Sequence, residues 1–303
     1  MTAHLPIPLA PDVLEYIRDV FEGVNENVTS RLDRMPTIHE EALDLAFIDA
    51  VAVAQGPHVT PSGTIVDIAV HFVGGGRHWR LWEVADIGFI VNFRRAGELL
   101  RTKVVLLQSK RLYPRESEFT EDEGIARFGG FGSLMAASLP AAIGNREFRF
   151  DETCRYRALK VGDQQWEAIA SYEEEYELPV HYMLYHPRTI PAHARIPVIV
   201  PLVDARAQIE VGTRVLSGQA MRERTEGMAT NRAPSYGTLV AVSTAEVGAS
   251  LPDFVIAGIL SCTEGYVVDD GIDNAGLQRV FNQRTAPISA AIRLDINLPT
   301  QQG

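Results

Sequence analysis

Hydrophobic residues near the start of the chain recur every three or four positions, the spacing of one face of an α-helix. Between residues 11 and 35 these positions are Val13, Leu14, Ile17, Val20, Phe21 and Val24. Pro36 ends this predicted helix. A second helix is predicted to begin at Thr37, because Thr37 and Glu40 match a capping box ahead of a further apolar face.

The pattern then changes to strands. Three segments have the β-branched and aromatic composition of strands, at 64–73, 78–93 and 102–109. A helix at 163–179 and a strand at 180–187 follow after an irregular stretch. The order is helix, strand, strand, strand, helix, strand, which predicts an α/β protein with a mixed sheet flanked by helices.

The third predicted strand changes character abruptly. An apolar run from Val104 to Leu107 has the composition of a buried strand. Gln108, Ser109, Lys110 and Arg111 follow it with no turn residue between. Polar and charged groups are costly to bury unless they are paired, so their position at the end of a buried strand requires a reason.

Pairing of the second and third strands suggests that reason. If their hairpin turn is centred on Gly97, Asp86 lies opposite Gln108. Lys110 lies two residues beyond Gln108 and therefore projects from the same face. A bulge, which is expected near Gly88, would shift this register by one residue.

A divalent cation would explain a carboxylate and an amide oxygen at this position. Mg²⁺ or Mn²⁺ held by Asp86 and Gln108 would compensate the buried charge, because such ions take hard oxygen ligands and keep several waters. The metal would polarise a phosphate and activate a water. Lys110 would hold the attacking water or stabilise the developing charge.

These residues resemble a known signature. Asp86, Gln108, Ser109 and Lys110 are similar to the D…(E/Q)-x-K motif of the PD-(D/E)XK nuclease superfamily, and the Q-x-K form is most similar to Mrr-type restriction endonucleases. The resemblance implies a restriction-endonuclease-like αβββαβ core and metal-dependent cleavage of DNA. The chain departs from the motif in two ways: Ala85 replaces the proline, and glutamine replaces the usual glutamate.

The resemblance also implies domain limits and a further acid. An N-terminal helix (1–36) precedes a nuclease-like core (37–189) with an insertion at about 115–162, and 190–303 forms a C-terminal extension or a small second domain. The family often places an acid of its first helix near the metal. Glu41 is the expected catalytic residue there, with Asp44 as an alternative, whereas Glu40 is assigned to the capping box.

The charge distribution bears on DNA binding. The net charge of −11 argues against a protein that coats nucleic acid through its overall charge. Residues 77–115, however, contain nine Lys/Arg and three acids, a local charge of +6. Arg94, Arg95 and Arg111 are therefore the expected DNA contacts.

Together these observations predict a metal-dependent DNA endonuclease, which fits bacterial restriction or anti-phage defence, acting as a homodimer and with a partner protein of a defence system. The main alternative is a catalytically inactive nuclease-fold protein that binds nucleic acid or serves in assembly. A third is a different fold, in which Asp86 only forms a salt bridge with Arg94 or Lys103.

The chain is expected to be cytoplasmic. It has no apolar run of about 18 residues that would span a membrane. Its first residues lack the features of a signal peptide, and its two cysteines are expected to be free thiols.

Overall fold

The computed structural model describes residues 7–72, 84–116, 146–196, 200–202, 209–241, 243, 246–261, 263–268 and 288–300. Within these ranges the protein is a mixed α/β structure with six α-helices and a mixed sheet of nine strands. The triple-glycine turn at 74–76, the FGGFG segment at 128–132 and Cys262 lie outside the described residues.

The helices agree with the periodicity of the apolar residues. They are α1 (Pro11–Arg34), α2 (Glu40–Ala52), α3 (Gln164–Tyr176), α4 (Gly218–Arg224), α5 (Tyr236–Leu239) and α6 (Leu251–Asp253), which continues as a π-helix (Phe254–Leu260). Of the predicted apolar positions of α1, Val13, Ile17, Phe21 and Val24 are buried, while Leu14 and Val20 are half-buried. Among the described residues, no helix combines the length and hydrophobicity needed to cross a bilayer.

The strands form one large sheet and two small ones. They are β1 (Gly56–Val59), β2 (Ile65–Phe72), β3 (Ile87–Arg95), β4 (Glu98–Arg111), β5 (Arg115–Glu116), β6 (Arg146–Phe150), β7 (Val180–Tyr185), β8 (Thr189–Ile190), β9 (Ala192–Ile196), β10 (Val200–Leu202), β11 (Ile209–Glu210), β12 (Arg214–Ser217), β13 (Ala249–Ser250), β14 (Tyr266–Val268) and β15 (Ala290–Leu298). The large sheet has the order β1-β2-β15-β3-β4-β7-β12-β13, and β14 pairs with β4.

The C-terminal region completes this sheet. β15 lies between β2 and β3, antiparallel to β2 and parallel to β3. β12, β13 and β14 also belong to the large sheet. Four strands of the region that was predicted as an extension or second domain therefore pair with the central sheet, and one of them separates two strands that are neighbours along the chain.

The β3–β4 hairpin has the register that the sequence predicts at its far end. Ile87 pairs with Leu107, so Asp86 comes next to Gln108. The expected bulge near Gly88 is wrong, because the pairing shifts between Phe93 and Arg94 instead. The two turn residues, Ala96 and Gly97, have φ of 51° and 85°, which suits a tight hairpin turn.

Strand β4 extends beyond the end of its neighbour β3, and this difference in length positions the polar residues of β4. Its buried part runs from Thr102 to Arg111. β3 accompanies it only as far as Leu107, whereas β7 pairs with it from Leu106 to Arg111. The last four residues of β4 therefore have a strand partner on the β7 side and none on the β3 side among the described residues.

Candidate active site

Carboxylates occupy the place of the missing strand partner. The backbone N–H of Ser109 donates to Oδ2 of Asp86 at 2.7 Å. Two residues further along the same edge, the N–H of Arg111 donates to Oε2 of Glu40 at 2.9 Å. Buried backbone donors need acceptors, and here side-chain carboxylates supply them where the sheet ends. The polar run of β4 thus begins where its β3 partner stops.

Asp86 is held by three hydrogen bonds to a single oxygen. Its Oδ2 accepts from Nε2 of Gln108 at 2.5 Å, from Oγ of Ser109 at 2.8 Å and from the Ser109 N–H. Asp86 is half-buried, while Gln108 is 1% exposed. On its other side, Oε1 of Gln108 accepts a long hydrogen bond of 3.4 Å from Gln165 at the start of α3.

Asp44 extends the cluster from α2. Its Oδ2 lies 2.8 Å from Oγ of Ser109, whose single hydroxyl proton is shared between Asp44 and Asp86. Its Oδ1 accepts from the Tyr185 hydroxyl at 2.7 Å. Burial raises the pKa of Asp44 well above its ordinary value, and the Asp86 carboxylate raises it further. The hydrogen bonds from Tyr185 and Ser109 lower the pKa by less than these two effects raise it.

Glu40 and Lys110 form a buried ion pair at the same edge. Nζ of Lys110 lies 3.1 Å from Oε1 of Glu40, with side-chain exposures of 4% and 16%. Burial lowers the pKa of Lys110, but the carboxylates of Glu40 and Asp86 outweigh it, so the pKa is raised and the ammonium stays protonated at neutral pH. Burial raises the pKa of Glu40, and the attraction of Lys110 offsets only part of that rise.

The structure brings together three of the four predicted catalytic residues. Asp86 and Gln108 are in contact, and Lys110 projects at the same edge beside Glu40. Glu41 is exposed on α2, and among the described residues its side chain takes no part in these contacts. Glu40 occupies the position beside Lys110 that was expected for Glu41.

The capping box explains this displacement. It was predicted that Thr37 caps the second helix and that Glu40 serves the cap. That prediction is wrong, because α2 begins at Glu40 with His39 as N-cap and without a side-chain cap hydrogen bond. Glu40 is therefore available to bond with β4, and Asp44 follows it one helical turn later on the same face.

The predicted DNA contacts are not at the site. Arg111 is fully buried, donates to the Pro36 carbonyl at 2.6 Å, and is inaccessible to DNA in this conformation. Arg94 and Arg95 lie at the turn end of the hairpin, about 25 Å from Asp86 at the usual rise per strand residue. The prediction that Arg111 contacts DNA is therefore wrong for this conformation. Arg94 and Arg95 lie on a surface that is far from the candidate active site.

Two polar residues of the cluster were not assigned to it from the sequence. The hydroxyl of Tyr185, on the strand β7, donates to Asp44. The side chain of Gln165, at the start of α3, contacts Gln108. The position of Tyr185 near the cluster follows from its pairing with Arg111 in the parallel strands β4 and β7, and this pairing could not be predicted from the sequence.

The salt bridges proposed for Asp86 under a different fold are absent from the described residues. Arg94 lies 3.7 Å from Asp295, and Lys103 donates to the carbonyl of Gly258 at 3.2 Å. The cation with which Asp86 does interact is Lys110, because the Asp86 carboxylate helps to raise the pKa of Lys110. Asp86 is therefore part of the polar cluster and not of a simple ion pair with either residue.

The cluster has more negative than positive groups. Asp86 and Asp44 both contact the Ser109 hydroxyl, whereas Glu40 binds the ammonium of Lys110, the one cation whose pKa all three carboxyls raise. Their carboxylate oxygens, with the amide oxygen of Gln108, are the hard donors that Mg²⁺ and Mn²⁺ prefer. Among the described residues, no three Asp, Glu, His or Cys side chains are already arranged around a common metal position.

Comparison of the chain with protein-family models, with curated proteins and with solved structures finds no match.

Proposed function

We propose that this chain is a metal-dependent DNA endonuclease with a restriction-endonuclease-like core. One observation carries the proposal: Asp86 bonds Gln108 where β3 ends, and Lys110, two residues further along β4, is within electrostatic reach of Asp86 and pairs with Glu40 of α2. Apart from the short strands β1, β5 and β6, the chain order α2, β2, β3, β4, α3, β7 agrees with the αβββαβ core that the D…Q-x-K resemblance implies, although β15 lies between β2 and β3 in the sheet.

Asp86 and Gln108 would hold the metal. The residues fit a divalent cation because three carboxyls and one amide oxygen lie near a single ammonium. Burial raises the pKa of Asp44 and of Glu40, and the neighbouring Asp86 carboxylate raises both further. Two protein oxygens suffice for Mg²⁺, which keeps several of its waters. Bound there, the metal would supply a polarised phosphate and an activated water.

Gln108 would have to turn its amide for this role. In the structure it is Nε2 of Gln108 that faces Asp86. A metal ligand must be the oxygen, Oε1, which instead accepts a weak hydrogen bond from Gln165. To hold a cation, Gln108 would therefore have to present Oε1 to it and give up the hydrogen bond from its Nε2 to Asp86.

Lys110 would act as an electrostatic stabiliser. Its raised pKa keeps the ammonium charged at neutral pH, so it cannot serve as a general base. A fixed buried cation stabilises the negative charge that develops on a phosphate under attack. Glu40 holds that ammonium in place at 3.1 Å, so Glu40 is a positioning residue in this proposal.

The biological setting is also a proposal. By resemblance alone, a homodimer would let two such sites cut both strands of a duplex, and restriction or anti-phage defence is the expected context. A defence-system partner protein belongs to the same expectation.

A plasmid-cleavage assay tests the proposal. We expect the purified protein to nick or linearise supercoiled plasmid with Mg²⁺ or Mn²⁺ and not with EDTA. Lys110→Ala and Asp86→Asn should each abolish cleavage. Arg222→Ala, which changes an exposed residue paired with Glu173, should cleave like the wild type. Cleavage that survives Asp86→Asn would assign the activity elsewhere.

A second candidate is a catalytically inactive nuclease-fold protein that binds nucleic acid. The observation that favours it is the 2.5 Å hydrogen bond from Gln108 to Asp86, which satisfies the carboxylate without any metal. This candidate predicts no cleavage with either metal and salt-dependent DNA binding that EDTA leaves unchanged. Cleavage gained by Gln108→Glu would identify Gln108 as the cause of inactivity.

A further inference from the structure

Three chain segments lie side by side next to the candidate active site. They are 110–115, which continues from β4, 153–162, which precedes α3, and 229–236, which leads into α5. The N–H of Tyr113 donates to the Arg155 carbonyl at 3.0 Å, joining the first two segments. The N–H of Val161 donates to the Arg232 carbonyl at 3.1 Å, joining the second and third. We call their common surface the basic surface.

The basic surface has an unusual charge for this chain. The three segments contain seven Lys/Arg residues and no Asp or Glu, in a protein whose net charge is −11. The exposed members are Arg115, Arg155, Arg157, Lys160 and Arg232. Of these, Arg115 is paired at 2.8 Å with Asp151, which lies just outside the three segments. Positive charge in an otherwise acidic protein is thus concentrated beside Lys110, at the end of β4.

A stack of two cations on one ring orders this surface. The guanidinium of buried Arg111 lies 4.2 Å from the centre of the Tyr113 ring, and that of exposed Arg157 lies 5.5 Å from the same centre. Cation–π contacts at these distances are favourable. Arg111, which cannot reach DNA, therefore helps to fix Tyr113 and through it Arg157.

We propose that the basic surface binds the phosphate backbone of the DNA strand that enters the candidate active site. Lysine and arginine side chains neutralise backbone phosphates irrespective of sequence. Tyr113 is three residues beyond Lys110, about 10 Å at the rise of a strand, which matches about three nucleotide steps along duplex DNA. That this DNA is also the substrate rests on the proposed function. The binding of DNA itself rests on the charge of the basic surface and on its position beside Lys110.

An anionic membrane is a weaker fit for the same charges. Peripheral membrane surfaces combine basic residues with apolar side chains that enter the bilayer. The large exposed hydrophobic residues of the described chain all lie outside the three segments; they are Met35, Leu45, Val53, Val59, Ile65, Phe72, Leu100 and Ile209. The surface therefore offers charge without an apolar anchor.

Binding measurements without metal test this inference independently of cleavage. The probe is a short fluorescein-labelled DNA duplex in EDTA, with anisotropy read over a range of NaCl concentrations. The test variant replaces Arg157, Lys160 and Arg232 with glutamine. Its matched control replaces Arg18, Arg188 and Arg222 with glutamine, three arginines outside the predicted DNA contacts whose side chains are 40%, 47% and 42% exposed. Thermal melts of both variants verify folding.

We expect the test variant to bind at least about tenfold more weakly and to reduce the slope of log affinity against log salt by about 2 to 3. The control should stay within about twofold of wild type. Equal affinity of the test variant and the wild type, or an equal loss in the control, would overturn the inference. So would binding to phosphatidylserine vesicles in place of DNA.

The two proposals fail differently. If the basic surface binds DNA but no metal supports cleavage, the endonuclease proposal fails alone. If the wild type cleaves plasmid and the test variant binds and cleaves equally well, the basic surface fails alone.

Discussion

Removal of Glu40 should destabilise the fold, because it leaves a buried ammonium without its counter-ion. Lys110 is only 4% exposed, and Glu40 is 16% exposed. Breaking a buried pair by removing one partner costs about 3–5 kcal/mol. The N–H of Arg111 also loses its acceptor at 2.9 Å, worth about 1 kcal/mol or more. Since water can reach the partly exposed site of Glu40, we expect Glu40→Ala to lower the free energy of unfolding by about 3 kcal/mol, the lower end of that range.

Equilibrium urea unfolding measures this loss, and the chain offers a matched control. Glu41→Ala removes the adjacent, exposed glutamate of the same helix and should change stability by less than about 0.5 kcal/mol. A Glu40→Leu, Lys110→Met double variant removes both charges and should recover most of the loss. The reasoning is refuted if Glu40→Ala costs under about 1 kcal/mol or no more than Glu41→Ala.

Three further predictions concern the same cluster. Since the pKa of Asp44 is raised in the folded state, its protonated form stabilises the fold below its ordinary value of 3.8, and this contribution is lost as pH rises through the raised pKa. Asp44→Asn should therefore gain stability relative to wild type as pH rises toward neutrality; parallel unfolding profiles would contradict this. Tyr185→Phe removes the 2.7 Å donor to Asp44 and should cost about 1–2 kcal/mol in urea unfolding, whereas no change would show that the hydrogen bond is dispensable. Arg111→Gln should cost about 2 kcal/mol, because it removes the bond to Pro36 and the stack on Tyr113; a loss below about 0.5 kcal/mol would place Arg111 at the surface.

The β3–β4 hairpin is a part of the site that could be predicted from the local sequence pattern. The polar pair Asp86 and Gln108 could be matched from the sequence by centring the turn on Gly97. The structure has a two-residue turn, Ala96 and Gly97, and a shift of pairing between Phe93 and Arg94 that restores the predicted register beyond it. The prediction at the site is confirmed, although the path of the chain near the turn differs from the expected one.

The local sequence pattern led to the wrong assignment of the glutamate on α2 that contacts Lys110. Thr37 and Glu40 have the spacing of a capping box, so Glu40 was given a local role and Glu41 the distant one. The helix begins later than that pattern indicates, at Glu40. The contact of Glu40 with Lys110 depends on packing between residues 70 positions apart, which no local spacing encodes.

Topology accounts for the remaining differences. Arg111 was expected to contact DNA because residues 77–115 carry a local positive charge, yet it is buried, paired with β7 and bonded to the Pro36 carbonyl. The strand at 290–298 enters the sheet between β2 and β3, which its own sequence does not indicate. Both outcomes follow from pairings between distant parts of the chain, whereas the four strands at 64–73, 78–93, 102–109 and 180–187 could be predicted from composition.

The account depends most on a divalent cation between Asp86 and Gln108, and a crystal soaked in Mn²⁺ tests it directly. Anomalous diffraction should show one Mn²⁺ peak within ligand distance of the Asp86 carboxylate and the Gln108 amide oxygen, and no such peak in crystals of Asp86→Asn soaked in the same way. Wild-type crystals with no peak there, and with Nε2 of Gln108 still bonded to Asp86, would contradict the account.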